Sequence, residues 1–210
     1  MYRWLLAGVT VFVLTILSTA CSTQDTVSLP IYQEVPPFSL TDQMGQTFST
    51  EDLQGRVVLA SFIFTNCISF CPTLTPRIGE IQERLEKDGT LGKDVLLLSF
   101  TVDPEYDTPD ILRSYAERHR ANHDAWRFLT GPPQMIQQIV TDGFKLGYGQ
   151  INESNQHTHQ DGSIHLHEYD VFHTNRVVLA DRSGRVRAYY DVAADWDISQ
   201  VLKDIEALLY

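Results

Sequence analysis

Two apolar runs organise the middle of the chain. Val57-Val58-Leu59-Ala60-Ser61-Phe62-Ile63-Phe64 and Val95-Leu96-Leu97-Leu98-Ser99-Phe100 are nearly continuous and partly β-branched. Runs of this length and kind read as strands buried on both faces, hence central and parallel. Between them Leu74, Ile78, Ile81 and Leu85 recur at helical spacing, with Glu80, Glu83, Arg84 and Glu86 opposite. Pro72 and Pro76 allow two starts for this helix. Either its first turn begins at Pro72 and it bends at Pro76, or Thr75 caps it with Pro76 at the first position. Strand, helix and strand within about fifty residues make a right-handed βαβ unit.

Further along, Thr108-Pro109-Asp110 has the order of a helix start and leads into Ile111, Leu112, Tyr115 and Ala116. An extended piece, Trp126 to Leu129, precedes a helix through Met135, Ile136, Ile139 and Val140, with Gly143 as its stop. Arg176 to Asp181 and Arg185 to Tyr190 flank Arg182-Ser183-Gly184, the signature of a hairpin. Ile198, Val201, Leu202, Ile205 and Leu208 make a last helix. The order βαβ, helices, hairpin and terminal helix predicts an α/β thioredoxin-like fold. A central sheet is flanked by helices and carries an inserted histidine-containing loop or hairpin. Periodicity alone leaves flavodoxin-like sheets open, since they share the first half.

Composition narrows the partners. The chain has 210 residues and a formal net charge of −11. An acidic surface excludes nucleic acid and an anionic membrane face as main partners, because both demand basic patches. Arg3 followed by the apolar run Leu5 to Leu17 reads as an export signal or membrane anchor over residues 1–20, since the run is short for a membrane span. Ser18-Thr19-Ala20-Cys21 resembles a bacterial lipoprotein cleavage site with Cys21 as the lipidated residue, although Ser18 stands where an aliphatic residue is usual. Cleavage after Ala20 without lipid and an uncleaved anchor remain as alternatives, and all three export the domain. Residues 21–35 read as a linker and 36–210 as the folded domain. The expected location is the bacterial cell envelope, membrane-tethered, with the domain facing the periplasm or outside.

With Cys21 assigned to export, two cysteines remain, Cys67 and Cys71. Outside the cytoplasm a close pair is a disulfide, a redox couple or a metal site. The pair sits where a central strand turns into a helix, a place where α/β folds concentrate binding and catalysis. Both thiolates can chelate one ion, and soft sulfur favours Cu(I). A disulfide across so short a ring would stabilise little.

Five of the seven histidines fall between residues 157 and 173. His173 stands just before the predicted strand Arg176 to Asp181, where the loop can return over the cysteines. The other four form two pairs, His157/His159 and His165/His167, around Asp161-Gly162. With Asp161-Gly162 as a two-residue turn, Thr158 lies opposite His165 and the two pairs occupy opposite faces. That register excludes a single four-histidine site within one chain. It leaves a solvated polar loop, or a second metal site from one pair.

Three segments together resemble the Sco/SenC family over roughly residues 36–210. They are Phe64-Thr65-Asn66-Cys67 through Cys71-Pro72, then Asp103-Pro104 through Asp107-Thr108-Pro109, then Phe172-His173-Thr174 leading to Gly184-Arg185. The resemblance implies a thioredoxin-like domain holding one copper ion, Cu(I) or Cu(II), through Cys67, Cys71 and His173. It also implies delivery to the dinuclear copper site of cytochrome c oxidase, or upkeep of that site's thiols. The partner is then the copper-receiving subunit of that oxidase or another periplasmic copper protein. This chain has Ile68 where the family commonly has proline and Phe172 where an aspartate often precedes the histidine. An extracytoplasmic thiol–disulfide oxidoreductase using Cys67 and Cys71 is the alternative, though it lacks the Cys-x-x-Cys spacing of such couples. A peroxidase would need a single activated cysteine. Asp103 and Asp107 read as turn and helix-start residues.

Overall fold

The computed structural model describes residues 29–67, 71–151, 155–158, 164–167, 170–173, 176–192 and 196–210. The export segment and most of the linker lie outside them. The two apolar runs form β4 (Val57–Ile63) and β5 (Val95–Thr101), buried at every position and paired in parallel. Next to them stands β6 (Trp126–Thr130), parallel to β5, and on the other side β11 (Arg176–Ala180), antiparallel to β4. The sheet is extended by β12 (Arg185–Asp191) and β1 (Gln33–Glu34) at one edge, and by β2 (Ser39–Asp42) and β3 (Thr47–Ser49) at the other. The full order is β1-β12-β11-β4-β5-β6-β2-β3.

Alternation along the central strands sends their side chains into two separate cores. Val58, Ala60, Phe62, Leu96, Leu98 and Phe100 join Phe38, Ile136, Val140 and Phe144 on one face. Val57, Leu59, Ile63, Val95 and Leu97 join the other face. There they meet α1 (Cys71–Lys87), α2 (Pro109–Arg118) and α4 (Ile198–Leu209). Ile78, Ile81 and Leu85 of α1 are each at most 3% exposed, and such burial contributes about 1.5–3 kcal/mol per side chain. Two serines interrupt the runs on this second face. Ser61 and Ser99 hydrogen-bond each other at 2.8 Å, and the buried Trp126 indole N–H donates to Ser99 Oγ at 2.9 Å. Each polar group is thereby satisfied where an orphan would cost about 1–3 kcal/mol.

Several predicted elements are found in place. Thr108 caps α2, its hydroxyl accepting from the Ile111 N–H, with Pro109 in the first turn. Gly184, at φ +74°, closes the β11–β12 turn in a conformation other residues avoid. Of the two starts open for α1, the earlier one holds, because the helix begins at Cys71 and Pro76 lies within it.

Others need correction. The linker composition of residues 21–35 ends too late: Gln33–Glu34 pair with β12, Tyr32 packs edge-on against Tyr189 and Val35 is buried. Two polar residues on a sheet edge carry no apolar alternation to announce a strand. The helix through Met135 is also shorter than its periodicity. It runs as α3 (Pro133–Gln138) and then widens into a π turn over Ile139–Gly143. Gly143 is needed there for closeness. A methyl group on it would fall onto the Pro36 ring, 2.8 Å from Cδ, while its carbonyl accepts from the Gln33 side chain. Gly143→Ala is expected to cost about 1–3 kcal/mol, read as a lower urea midpoint with an unchanged slope. An unchanged midpoint would show that the chain entering the sheet at Pro36 yields freely.

The inserted segment contributes four short strands, β7 (Tyr148–Ile151), β8 (Asn155–Thr158), β9 (Ile164–His167) and β10 (Asp170–His173). β7 pairs with β10, and β8 with β9, each antiparallel. The β8–β9 register differs by one residue from that of a two-residue Asp161-Gly162 turn. His157 lies opposite His165, and Thr158 opposite Ile164. Five residues, 159–163, join the paired ends, and an odd connection reverses the parity of the ladder. His157 is therefore the register partner of His165 rather than of Leu166.

Candidate metal centre

Both cysteines lie at the carboxyl end of the central strands. β4 ends at Ile63, the chain turns through Phe64 to Cys67, and α1 starts at Cys71. The Cys67 N–H donates to the Phe64 carbonyl at 3.1 Å, and the Cys71 N–H donates to Cys67 Sγ at 3.4 Å. The thiols are not joined as a disulfide and are buried, 8% exposed at Cys67 and 1% at Cys71. They pack into the same core cluster as Leu74, Ile78 and Ile63.

The electrostatics keep Cys71 protonated in the metal-free chain. Its hydrogen bond with Cys67 comes first, then burial, then the charge on Cys67, and together they hold this thiol well above the usual thiol range. The helix N-terminus pulls the other way, but a macrodipole is worth only about 0.3–1 kcal/mol. A coordinated cation reverses the balance, because a thiol bound to a metal ion is deprotonated outright. Cys71 is thus poorly set up as a free nucleophile, and the pair is well set up to exchange a proton for a soft ion.

A buried carboxylate fixes the turn that carries Cys67. Asp107, fully buried, accepts from the Thr65 backbone N–H at 3.1 Å, the Thr65 hydroxyl and the Thr101 hydroxyl. Asp103 in turn donates its N–H to Thr101 Oγ1. Burial pushes the Asp107 carboxyl up to about 7, against the lowering effect of those hydrogen bonds. The loop after β5 is thereby bolted to the loop after β4. Sequence reasoning gave Asp107 only a helix-start role, whereas its side chain crosses to the cysteine turn. Nearby, Thr75 of α1 hydrogen-bonds the Tyr115 hydroxyl at 2.7 Å, so α2 packs against the helix that begins with Cys71. The Arg77 guanidinium donates to the Trp196 carbonyl at 2.6 Å and lies 5.5 Å from the centre of its ring, tying α1 to the chain before α4.

His173 ends β10, paired with Tyr148, three residues before β11. The direction of β11 is informative. Val178 stands opposite Ala60 and Ala180 opposite Val58, so β11 starts at the end of the sheet where β4 finishes. The backbone at His173 therefore enters the sheet from the cysteine end. Cys67 and Cys71 are brought together. His173 is placed at backbone level, and residues 68–70 and 174–175 lie outside the described residues. Among the described residues no three of His, Cys, Asp and Glu converge as a metal cluster.

Comparison with known proteins agrees with this architecture. The sequence model described as SCO1/SenC matches residues 29–210. The SCO1 protein homolog of Bacillus subtilis (strain 168) is 32% identical over 201 residues, covering 95% of each chain. A SCO1/SenC family lipoprotein of Bacillus anthracis superposes with a TM-score of 0.71 at 26% identity, over 85% of this chain and 96% of that one. ScoI of Bradyrhizobium japonicum, solved with copper bound, gives 0.65 at 25% identity, over 83% and 99%. With its thioredoxin-like fold and a family match running from the first described residue to the last, the chain belongs to the SCO1/SenC family.

Proposed function

We propose that this chain is a copper-binding metallochaperone that takes one copper ion through Cys67, Cys71 and His173. It hands the ion to the dinuclear copper site of cytochrome c oxidase, or keeps the cysteines of that site reduced. The observation that carries this reading is the pair of buried thiols, not joined as a disulfide, at the carboxyl end of the sheet, one turn apart and in contact. Two thiolates suit Cu(I), and an added imidazole also suits Cu(II), so an ion taken up in one oxidation state is retained in the other. The copper-bound relative supports copper as the ion, and the approach of β11 from the cysteine end supports His173 as the third donor.

The export signal in residues 1–20 and the lipoprotein relative support a domain tethered at the outer side of a bacterial membrane. No helix among the described residues is long and apolar enough to cross a membrane. A thiol–disulfide oxidoreductase using the same pair is disfavoured by the three residues between the cysteines, since such couples use the Cys-x-x-Cys spacing.

His173→Ala tests the ligand set. Loss of an imidazole is expected to weaken Cu(II) by at least about a hundredfold, the upper range for removing a mere supporting group. Cu(I), still held by both thiolates, weakens less. Titration in competition with chelators of known affinity measures both, and unchanged affinity for both oxidation states would remove His173 from the site.

A further inference from the structure

The chain joins the sheet at its edge, and one arginine decides where it does so. Gln33 of β1 stands opposite Val186 and Glu34 opposite Arg185. If that pairing continued, the residues before Gln33 would climb β12 toward Asp191, which lies opposite Arg176 at the cysteine end. Arg187 stops the climb. Its side chain is only 13% exposed. Nε donates to the Pro30 carbonyl at 2.9 Å, one terminal nitrogen donates to the Leu29 carbonyl, and the other donates to the Asp181 carboxylate at 2.9 Å. One rigid, planar fork thus ties Leu29 and Pro30 to Asp181. Leu29, half-buried, also packs against the core cluster that holds Leu179 and Ile205.

Asp181 lies at the pole of the sheet opposite the cysteines. Ala180 pairs with Val58 near the start of β4, whereas Cys67 and Cys71 lie beyond its last residue, Ile63. The Gly55 N–H donates to the Arg182 carbonyl at 3.1 Å, which fixes the same turn beside the entry to β4. The length of β4 separates the two poles by about 20 Å. Between Cys21 and Leu29 stand residues 22–28, and that stretch reaches at most about 29 Å when fully extended.

We infer that the tether leaves the domain at the pole opposite Cys67 and Cys71, and so turns the cysteine pole away from the bilayer toward a recipient domain that stands clear of the membrane surface. This rests on the membrane-tethered reading given above. For the cysteine pole to face the lipid, the fastening at Leu29 would stand a full sheet length above it. The chain from Cys21 would then be drawn nearly straight, giving up the conformational freedom of every residue in it. With the opposite pole down, the same chain has no such distance to cover. Arg187 is the positioning residue of this arrangement.

The test uses the full-length chain, extracted with its N-terminus and reconstituted into phosphatidylcholine vesicles that carry an acceptor dye on a fraction of the headgroups. A fluorescent non-natural amino acid replaces Thr73 in the first turn of α1, or Ser183 in the β11–β12 turn, both exposed positions. Transfer from position 183 should exceed transfer from position 73 at least about twofold, because the two differ in height by about 20 Å. About twenty Gly and Ser residues inserted between Ser28 and Leu29 should erase the difference. Arg187→Gln, which releases Leu29 and Pro30, should reduce it. Equal transfer from a chain that floats with the vesicles, or more transfer from position 73, would overturn the orientation alone. A difference untouched by Arg187→Gln and by the insertion would overturn the clamp as its cause. A chain that fails to float with the vesicles would remove the tether, and the orientation with it.

Discussion

Replacing Cys67 and Cys71 together by serine is expected to lower Cu(I) affinity by at least about a thousandfold. Metal free energies of about 10–16 kcal/mol are shared among four ligands in small structural sites. Two thiolates therefore contribute well over the ~4 kcal/mol that a thousandfold represents. Serine keeps the volume of cysteine within the core but offers a hard hydroxyl in place of a soft thiolate. The fold should survive, because the two sulfurs form no disulfide and no cross-link is lost. Anaerobic competition with a coloured Cu(I) chelator measures the affinity, and thermal melting checks the fold. A folded double variant that holds Cu(I) as well as the parent chain would make the cysteines redox groups. The oxidoreductase reading would then take first place.

The second large effect belongs to Asp107. Its folded-state pKa of about 7 lies above the 3.8 of an ordinary aspartate, and burial is the first cause. The sign follows from linkage. Between pH 4 and 7 the folded chain holds a proton at this carboxyl that the unfolded chain has lost, so raising the pH costs stability. The favourable contribution is complete below about pH 4 and is lost as the pH passes through 7. At 1.36 kcal/mol per pKa unit the loss is on the order of 4 kcal/mol. Asp107→Asn keeps an oxygen for the Thr65 N–H but cannot ionise. The difference in unfolding free energy between variant and parent, in the metal-free state, should therefore swing in favour of the variant from pH 4 to 8. Taking the difference cancels other carboxylates, such as Asp181, which Arg185 and Arg187 hold below the usual range and which acts with the opposite sign. A flat difference across that range would mean that the Thr65 and Thr101 hydrogen bonds fully offset the burial of the charge.

The central sheet was legible because its strands are buried on both faces, which leaves long apolar runs with no competing reading. Residues 57–64 and 95–100 became β4 and β5 nearly to the residue. α2 was legible through Thr108-Pro109, and the β11–β12 hairpin through Gly184. The edge strands were not. β1, β2 and β3 have four residues or fewer each; β1 and β2 pair with the distant β12 and β6, which local pattern does not record, and β3 pairs with β2 alone. The π turn at Ile139–Gly143 keeps apolar residues at nearly helical spacing, so periodicity read it as ordinary helix. In the candidate site, Cys67 and Cys71 announced themselves by type and spacing. Asp107 did not, because its role depends on a loop 42 residues away in sequence. The one-residue register of the histidine hairpin turned on the parity of a connection, to which composition is blind. The Asp-Gly pair pointed to a two-residue turn, whereas five residues join the paired ends.

X-ray absorption at the copper edge tests the account most directly, on the full-length chain loaded anaerobically with less than one equivalent of Cu(I). The account predicts a first shell dominated by two sulfur atoms, with an imidazole nitrogen beside them that disappears in His173→Ala. A shell of nitrogen and oxygen alone, or one unchanged when Cys67 and Cys71 are replaced, would contradict it.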